Sequence, residues 1–181
     1  IVRTTIIIGP NIVWAKIFEA AKKGHPIIGS GKNYFHIVYV EDVVNLLTLI
    51  KSNAKAMNQT FHIASKDTPT YEEVYRIICD ELNCKMTKKH VPLWLAYIGS
   101  YIHTAKRRLQ GKQPSLIMMK SSIDRLVRNR IISTEKAKKV LGFEPKYSTR
   151  DAIRETIKYL RISRLGYSDY DLAEIRKMKP D

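Results

Sequence analysis

The chain has 181 residues, 44% of them hydrophobic, which is enough to bury a substantial core and too much for intrinsic disorder. It contains no long uncharged apolar run and no basic, apolar leader at its start, so neither a transmembrane span nor a secretory signal is expected; the expected place is cytoplasmic, with peripheral membrane contact left open. The formal charge is +15, and it is concentrated: residues 85–164 hold twenty basic and five acidic residues, whereas residues 1–84 hold nine and eight. Such a block can face nucleic acid, an anionic membrane surface or a phosphorylated ligand. Cys79 and Cys84 lack the spacing of a zinc site or a disulfide framework and read as free thiols.

The first eight residues, Ile1-Val2-Arg3-Thr4-Thr5-Ile6-Ile7-Ile8, read as one continuous strand buried on both faces, of the kind found in parallel sheets. Its natural neighbours would lie upstream, so an N-terminal half is expected to be absent. After Gly9-Pro10-Asn11, the apolar spacing over residues 13–23 predicts a helix that Gly24 stops. Residues 26–33 suggest a short strand and glycine turn leading into a strand at 35–40, together a hairpin. A helix follows from Val43, with Glu41 and Asp42 placed to cap its N-terminus.

Residues 60–64 predict another strand, and Thr70 with Glu73 gives a capping box for a helix reaching Leu82. A strand is expected within 85–91, then Pro92 as the first residue of a long helix running to Leu109. That helix begins apolar almost all round and ends on Lys106-Arg107-Arg108. A short helix from Leu116, a brief strand at 129–133, a helix over 135–141 capped by Ser133 or Thr134 and ended by Gly142, and a last helix opened by Ser148 and Asp151 complete the pattern. Residues 1–163 are read as one unit and 164–181 as a charged tail. Strands alternating with helices, then helices alone, argue an α/β fold with a helical cap.

The eight glycines form no phosphate-cradling loop, and no tyrosine is followed four residues later by lysine, the spacing by which an ammonium lowers a phenol's pKa for proton transfer. The five histidines show no ligand spacing, so no metal site is expected and no catalytic residue is assigned.

Four pieces nevertheless recur in a known order: the opening strand with Gly9-Pro10, Tyr39-Val40-Glu41-Asp42-Val43-Val44, Thr60-Phe61-His62-Ile63-Ala64, and Ser133-Thr134-Glu135-Lys136-Ala137 through Leu141-Gly142-Phe143-Glu144-Pro145. Together they resemble the C-terminal half of an extended short-chain dehydrogenase/reductase, the NAD-dependent epimerase/dehydratase family. The resemblance implies a fold: the C-terminal part of a Rossmann-type α/β enzyme, a few strands with a mostly helical substrate-binding cap, lacking the N-terminal dinucleotide-binding half. It also implies an NAD or NADP cofactor held mainly by that absent half, with Thr4, Thr5 and Ile6 passing beside the nicotinamide. Thr4 and Ile8 depart from the family's Pro and Tyr at those places.

The nucleotide-sugar branch of the family carries an arginine where this chain has Phe35. An aromatic ring removes the charge pairing with a diphosphate and offers an apolar surface. The apolar start of the long helix is similar to the 3β-hydroxysteroid dehydrogenase and dihydroflavonol-reductase-like branch, where it covers a hydrophobic substrate. The resemblance therefore implies an oxidoreductase acting on a hydroxyl or keto group of a bulky, mainly apolar substrate, lined by Gly9, Pro10, Asn11, Phe35, His36 and Trp94 and inactive without its other half. An epimerase or dehydratase of nucleotide sugars is the alternative, and it requires a replacement cation among Arg107, Arg125, Arg128 and Arg130. The alternative of another class is a non-catalytic basic module for a membrane surface or nucleic acid. Nucleic acid is disfavoured because the aromatics Trp94, Tyr97 and Tyr101 fall on a helix rather than interleaving with cations on strands. Besides the substrate and the absent half, the partners kept open are a second copy in a homodimer and an anionic bilayer.

Overall fold

The computed structural model describes residues 1–113 and 118–162, with the side chains of the last two excepted. The expected start of a helix at Leu116 and the tail 164–181 lie outside these. Within them run β1 (Val2–Thr4), β2 (Ile6–Ile8), α1 (Ile12–Lys22), β3 (Ile27–Ile28), β4 (Ile37–Tyr39), α2 (Val40–Lys51), β5 (Phe61–Ile63), α3 (Tyr71–Leu82), β6 (His90–Val91), α4 (Leu93–Leu109), α5 (Lys120–Val127), α6 (Glu135–Leu141) and α7 (Thr149–Ile162).

The opening segment is two strands rather than one. β1 pairs in parallel with β5, Val2 opposite Phe61, and β2 pairs in parallel with β4, Ile6 opposite Ile37; the chain changes partner at Thr5. Nor is it buried on both faces, since Ile1 and Ile7 are exposed. Two-faced burial belongs to β4 instead. Ile37 and Tyr39 pack with Ile8, Phe18, Ile78 and Ile153 on one side, while Val38 packs with Leu46, Phe61, Ile63 and Leu141 on the other. The two-residue period of a strand divides these neighbours between two layers. Full burial of each such aliphatic side chain stabilises the fold by about 1.5–3 kcal/mol.

The expected hairpin does not form. β3 turns away from β4 and pairs in parallel with β6, Ile27 opposite His90. Gly31 explains the change of course: it has φ +72°, and a Cβ there would stand 3.0 Å from the Cβ of Glu72, so the loop is pressed against α3 in a conformation that only glycine adopts easily. The strand expected at 129–133 is reduced to a single bridge between Phe35 and Arg130.

Helix ends follow the sequence closely. Thr70 and Glu73 form the reciprocal capping box of α3, and Gly142 ends α6 in the left-handed region at φ +66°. Ser148 and Asp151 bond to each other at the start of α7. Pro92 is the N-cap of α4 rather than its first helical residue, and Thr134 is the N-cap of α6 without a side-chain bond, Ser133 Oγ accepting from Glu135 N instead. Glu41 and Asp42 serve a duty other than capping. Asp42 is buried in the first turn of α2 and accepts from the backbone N–H groups of Lys146 at 2.9 Å and Tyr147 at 3.1 Å, while Glu41 accepts from the Tyr147 hydroxyl. The two carboxylates strap the segment before α7 to the first turn of α2.

Candidate functional site

The partner change at Thr5 gathers polar groups in the interior. Thr5 N–H donates to Ile63 O at 3.3 Å, and Ser65 N–H donates to Ile37 O at 2.7 Å, so β5 and β4 meet where β1 ends and β2 begins. His36 sits in this junction, buried, with Nδ1 accepting from Ile132 N–H at 3.4 Å and Nε2 facing Ser65 O at 3.1 Å. These partners make it a neutral ring protonated on Nε2. Burial, the largest influence, pulls its pKa below 6.5, although the Ser65 carbonyl and Asp67 act the other way. Both ring nitrogens are thus engaged by backbone.

Thr5 is also buried, and its Oγ1 has no hydrogen-bond partner among the described residues. A satisfied hydroxyl is the rule in a protein interior, and this atom departs from it. Thr4 and Ile6 flank it, both half-buried.

Phe35 is 4% exposed, its ring tilted against Tyr71 with centroids 5.4 Å apart. Directly beside it, across the bridge, lies Arg130, whose N–H donates to Tyr34 O at 2.9 Å. Arg130 Nε is buried without a partner among the described residues, and the guanidinium's pKa is lowered first by burial and then by the nearby charges of Arg125 and Arg128. The chain that puts an aromatic ring at position 35 therefore returns a cation to the same neighbourhood from 95 residues away. Sequence spacing holds no signal for this, because the bridge is made between segments joined only by the fold.

The remaining expected substrate residues are spread out. Gly9 lies past the end of β2, where a Cβ would stand 3.0 Å from Val40 Cγ1, at the opposite end of the β2–β4 ladder from Phe35. Pro10 is exposed, and Asn11 caps α1 by accepting from the N–H groups of Val13 and Trp14, both at 3.0 Å. Trp94 is on α4 and 64% exposed. The structure brings Thr4–Thr5 and Phe35–His36 together and leaves the 9–11 loop and Trp94 apart from them. An open surface depression between Asp67, Arg76 and Arg150 involves none of these residues.

The described residues thus form a parallel α/β scaffold with a buried polar strand junction and an aromatic–arginine pair beside it. The comparisons with known proteins carry this further. No protein-family model matches the chain. It is 29% identical to the sterol-4-alpha-carboxylate 3-dehydrogenase, decarboxylating, of Bos taurus over 152 residues, 78% of this chain and 42% of that protein. It is 26% identical to 3beta-hydroxysteroid-dehydrogenase/decarboxylase isoform 1 of Arabidopsis thaliana over 172 residues, 86% of this chain and 39% of that protein. Among solved structures, UDP-glucuronic acid 4-epimerase from Bacillus cereus in complex with NAD superimposes with a TM-score of 0.61 at 13% identity, covering 90% of this chain and 44% of that one. The likeness to extended short-chain dehydrogenase/reductases read from the four motifs is thus borne out in sequence and in fold. The chain spans about two fifths of the length of the curated relatives it matches.

Proposed function

We propose that this chain is the substrate-binding part of an NAD(P)-dependent oxidoreductase acting on a hydroxyl or keto group of a bulky, mainly apolar substrate that also carries an anionic group. The observation that carries the reading is the pairing of Phe35 with Arg130: a buried ring offers apolar contact, and a partly buried guanidinium beside it, its Nε without a partner among the described residues, offers one charge. A sterol carboxylate, the substrate class in the name of the Bos taurus relative, has both features.

The cofactor's reactive ring would lie beside β1 and β2. Thr5 Oγ1 fits it, because a carboxamide can satisfy a buried hydroxyl that has no other partner. When bound, the nicotinamide supplies the hydride-transfer chemistry. The residues of this chain bind and orient: Phe35 excludes water from the apolar face, Arg130 fixes the anionic end, and His36 holds β4, β5 and the 130–132 segment in register. The remainder of the intact protein would supply the cofactor's phosphate-binding loop and the proton-transfer pair, so this part alone would be inactive.

The test is kcat/KM in the intact protein for a carboxylated polycyclic alcohol, its uncharged analogue and a UDP-sugar. Arg130→Gln is expected to lower kcat/KM for the carboxylated alcohol at least tenfold and to leave the uncharged analogue within threefold. Phe35→Arg should lower both alcohols, since a second unpaired guanidinium in an apolar site is costly. Wild-type preference for the UDP-sugar would refute the proposal and favour the nucleotide-sugar reading, for which the cluster of Arg125, Arg128 and Arg130 is the supporting observation.

A further inference from the structure

Helix α4 is built inside out. Its one buried residue is Ser100, and the side turned to the body also carries Tyr97, which donates to Asp124 at 2.5 Å, with Leu93, Ala96, His103 and Thr104 half-buried. The opposite side is apolar and in solvent: Ile98 is 46% exposed, Trp94 and Ile102 64%, and Leu109 90%. Positions 94, 98, 102 and 109, with Leu95 and Tyr101 beside them, form one stripe at helical spacing. At 100° per residue, Lys106 flanks this stripe on one side and Arg108 on the other, both exposed.

An amphipathic helix of a water-soluble body turns its apolar face inward, and this one turns it out. The charge around it narrows what can cover it. Residues 93–130 carry eight basic residues and one acidic residue. Trp and Tyr within an apolar stripe, bordered by long cations whose stems can lie along the hydrocarbon while their heads stay at the phosphates, is the composition of a helix lying in a lipid interface. The helix is too short to cross a bilayer: 17 residues give about 25 Å against about 30 Å of hydrocarbon. No helix among the described residues is long and apolar enough to cross a membrane.

We propose that α4 is an in-plane membrane-docking helix, seating its Trp94–Ile98–Ile102 stripe in the interface of an anionic bilayer with Lys106 and Arg108 on the headgroups. The inference stands independently of the substrate reading, since it uses neither Phe35 nor Arg130.

The test is co-sedimentation of the intact protein with vesicles of phosphatidylcholine alone or with 30 mol% phosphatidylserine, with quenching of tryptophan by brominated acyl chains in parallel. Binding is expected only with phosphatidylserine, with quenching, and it should weaken as salt rises. Ile98→Asp with Ile102→Asp should lower the partition coefficient at least tenfold, and Lys106→Glu with Arg108→Glu several-fold. All four positions are solvent-exposed, so the variants should keep the wild-type circular dichroism, and Lys106→Gln with Arg108→Gln gives a milder second charge variant. Absence of binding to both vesicles, binding unchanged by either double variant, or sedimentation without quenching would overturn the proposal. A dimer in light scattering that Ile98→Asp/Ile102→Asp dissolves, without vesicle binding, would overturn it in favour of a second copy as the cover.

Discussion

Removing the Asp42 carboxylate tests how the segment before α7 is held. The side chain is 1% exposed and accepts two backbone N–H bonds, from Lys146 and Tyr147. Bonds to a charged acceptor contribute roughly 1.5–3 kcal/mol each, and a variant that deletes the acceptor leaves two part-buried donors without it. Against this stands the cost of keeping an ion in the interior: burial raises the Asp42 pKa despite the pull of the two N–H groups, so ionisation there is opposed. The net loss for Asp42→Ala is therefore expected at roughly 2–4 kcal/mol, or a fall in Tm of about 5–12 °C for a chain of this size. Asp42→Asn keeps one acceptor but sets an amide N–H against a backbone N–H, so it should recover little. Urea denaturation followed by circular dichroism measures both. A loss below about 1 kcal/mol for Asp42→Ala would show that the strap does not carry the load assigned to it.

Burial lowers the His36 pKa below its usual 6.5, so its stabilising effect is complete above that pH and is lost as the pH falls through the folded-state value. Thermal melts at pH 8, 6 and 5 should show this decline, and His36→Gln should flatten it; an unchanged pH profile would remove His36 as its source. Gly9→Ala should cost about 1–2 kcal/mol, because the new methyl meets Val40 Cγ1 at 3.0 Å and α2 must shift to admit it. A neutral effect in the same melts would mean that the β2–α2 contact is looser than drawn.

Local signals were legible and pairings were not. The Thr70–Glu73 box, the stop at Gly142 and the helices α1 and α2 depend on residues within a few positions of one another, and the structure honours them, although Val13, Val44 and Leu47 of the expected apolar faces are exposed. The hairpin expected around Gly29 and Gly31 was a local reading of a segment whose partner, β6, is set by tertiary packing against α3. Ile1 and Ile7 looked buried because β-branched runs usually are, yet composition cannot say which face lacks a neighbour. At the site, Phe35 was noticed for the charge it lacks. Arg130 was one of four arginines that could restore it, and only the bridge singles it out. The face that α4 turns outward was equally hidden, since its first six residues, Leu93 to Ile98, are apolar nearly all round and name no inward side.

The pairing of the strands has a kinetic consequence. Among the described residues every ladder is parallel, and each closes a long stretch of chain: Val2 meets Phe61, Ile6 meets Ile37, Ile27 meets His90. No two-residue turn exists in any of the three from which a ladder might zip. Loops of roughly 30 to 60 residues must be drawn together before the first inter-strand bond rewards them, and that loss of chain entropy falls at the start of folding. The helices must supply the early order, α3 meeting α1 and α7 through the Ile78 and Ile153 layer. Until they do, the β-branched Ile6-Ile7-Ile8 run stands open to other chains, so the interval most exposed to aggregation comes before the sheet exists.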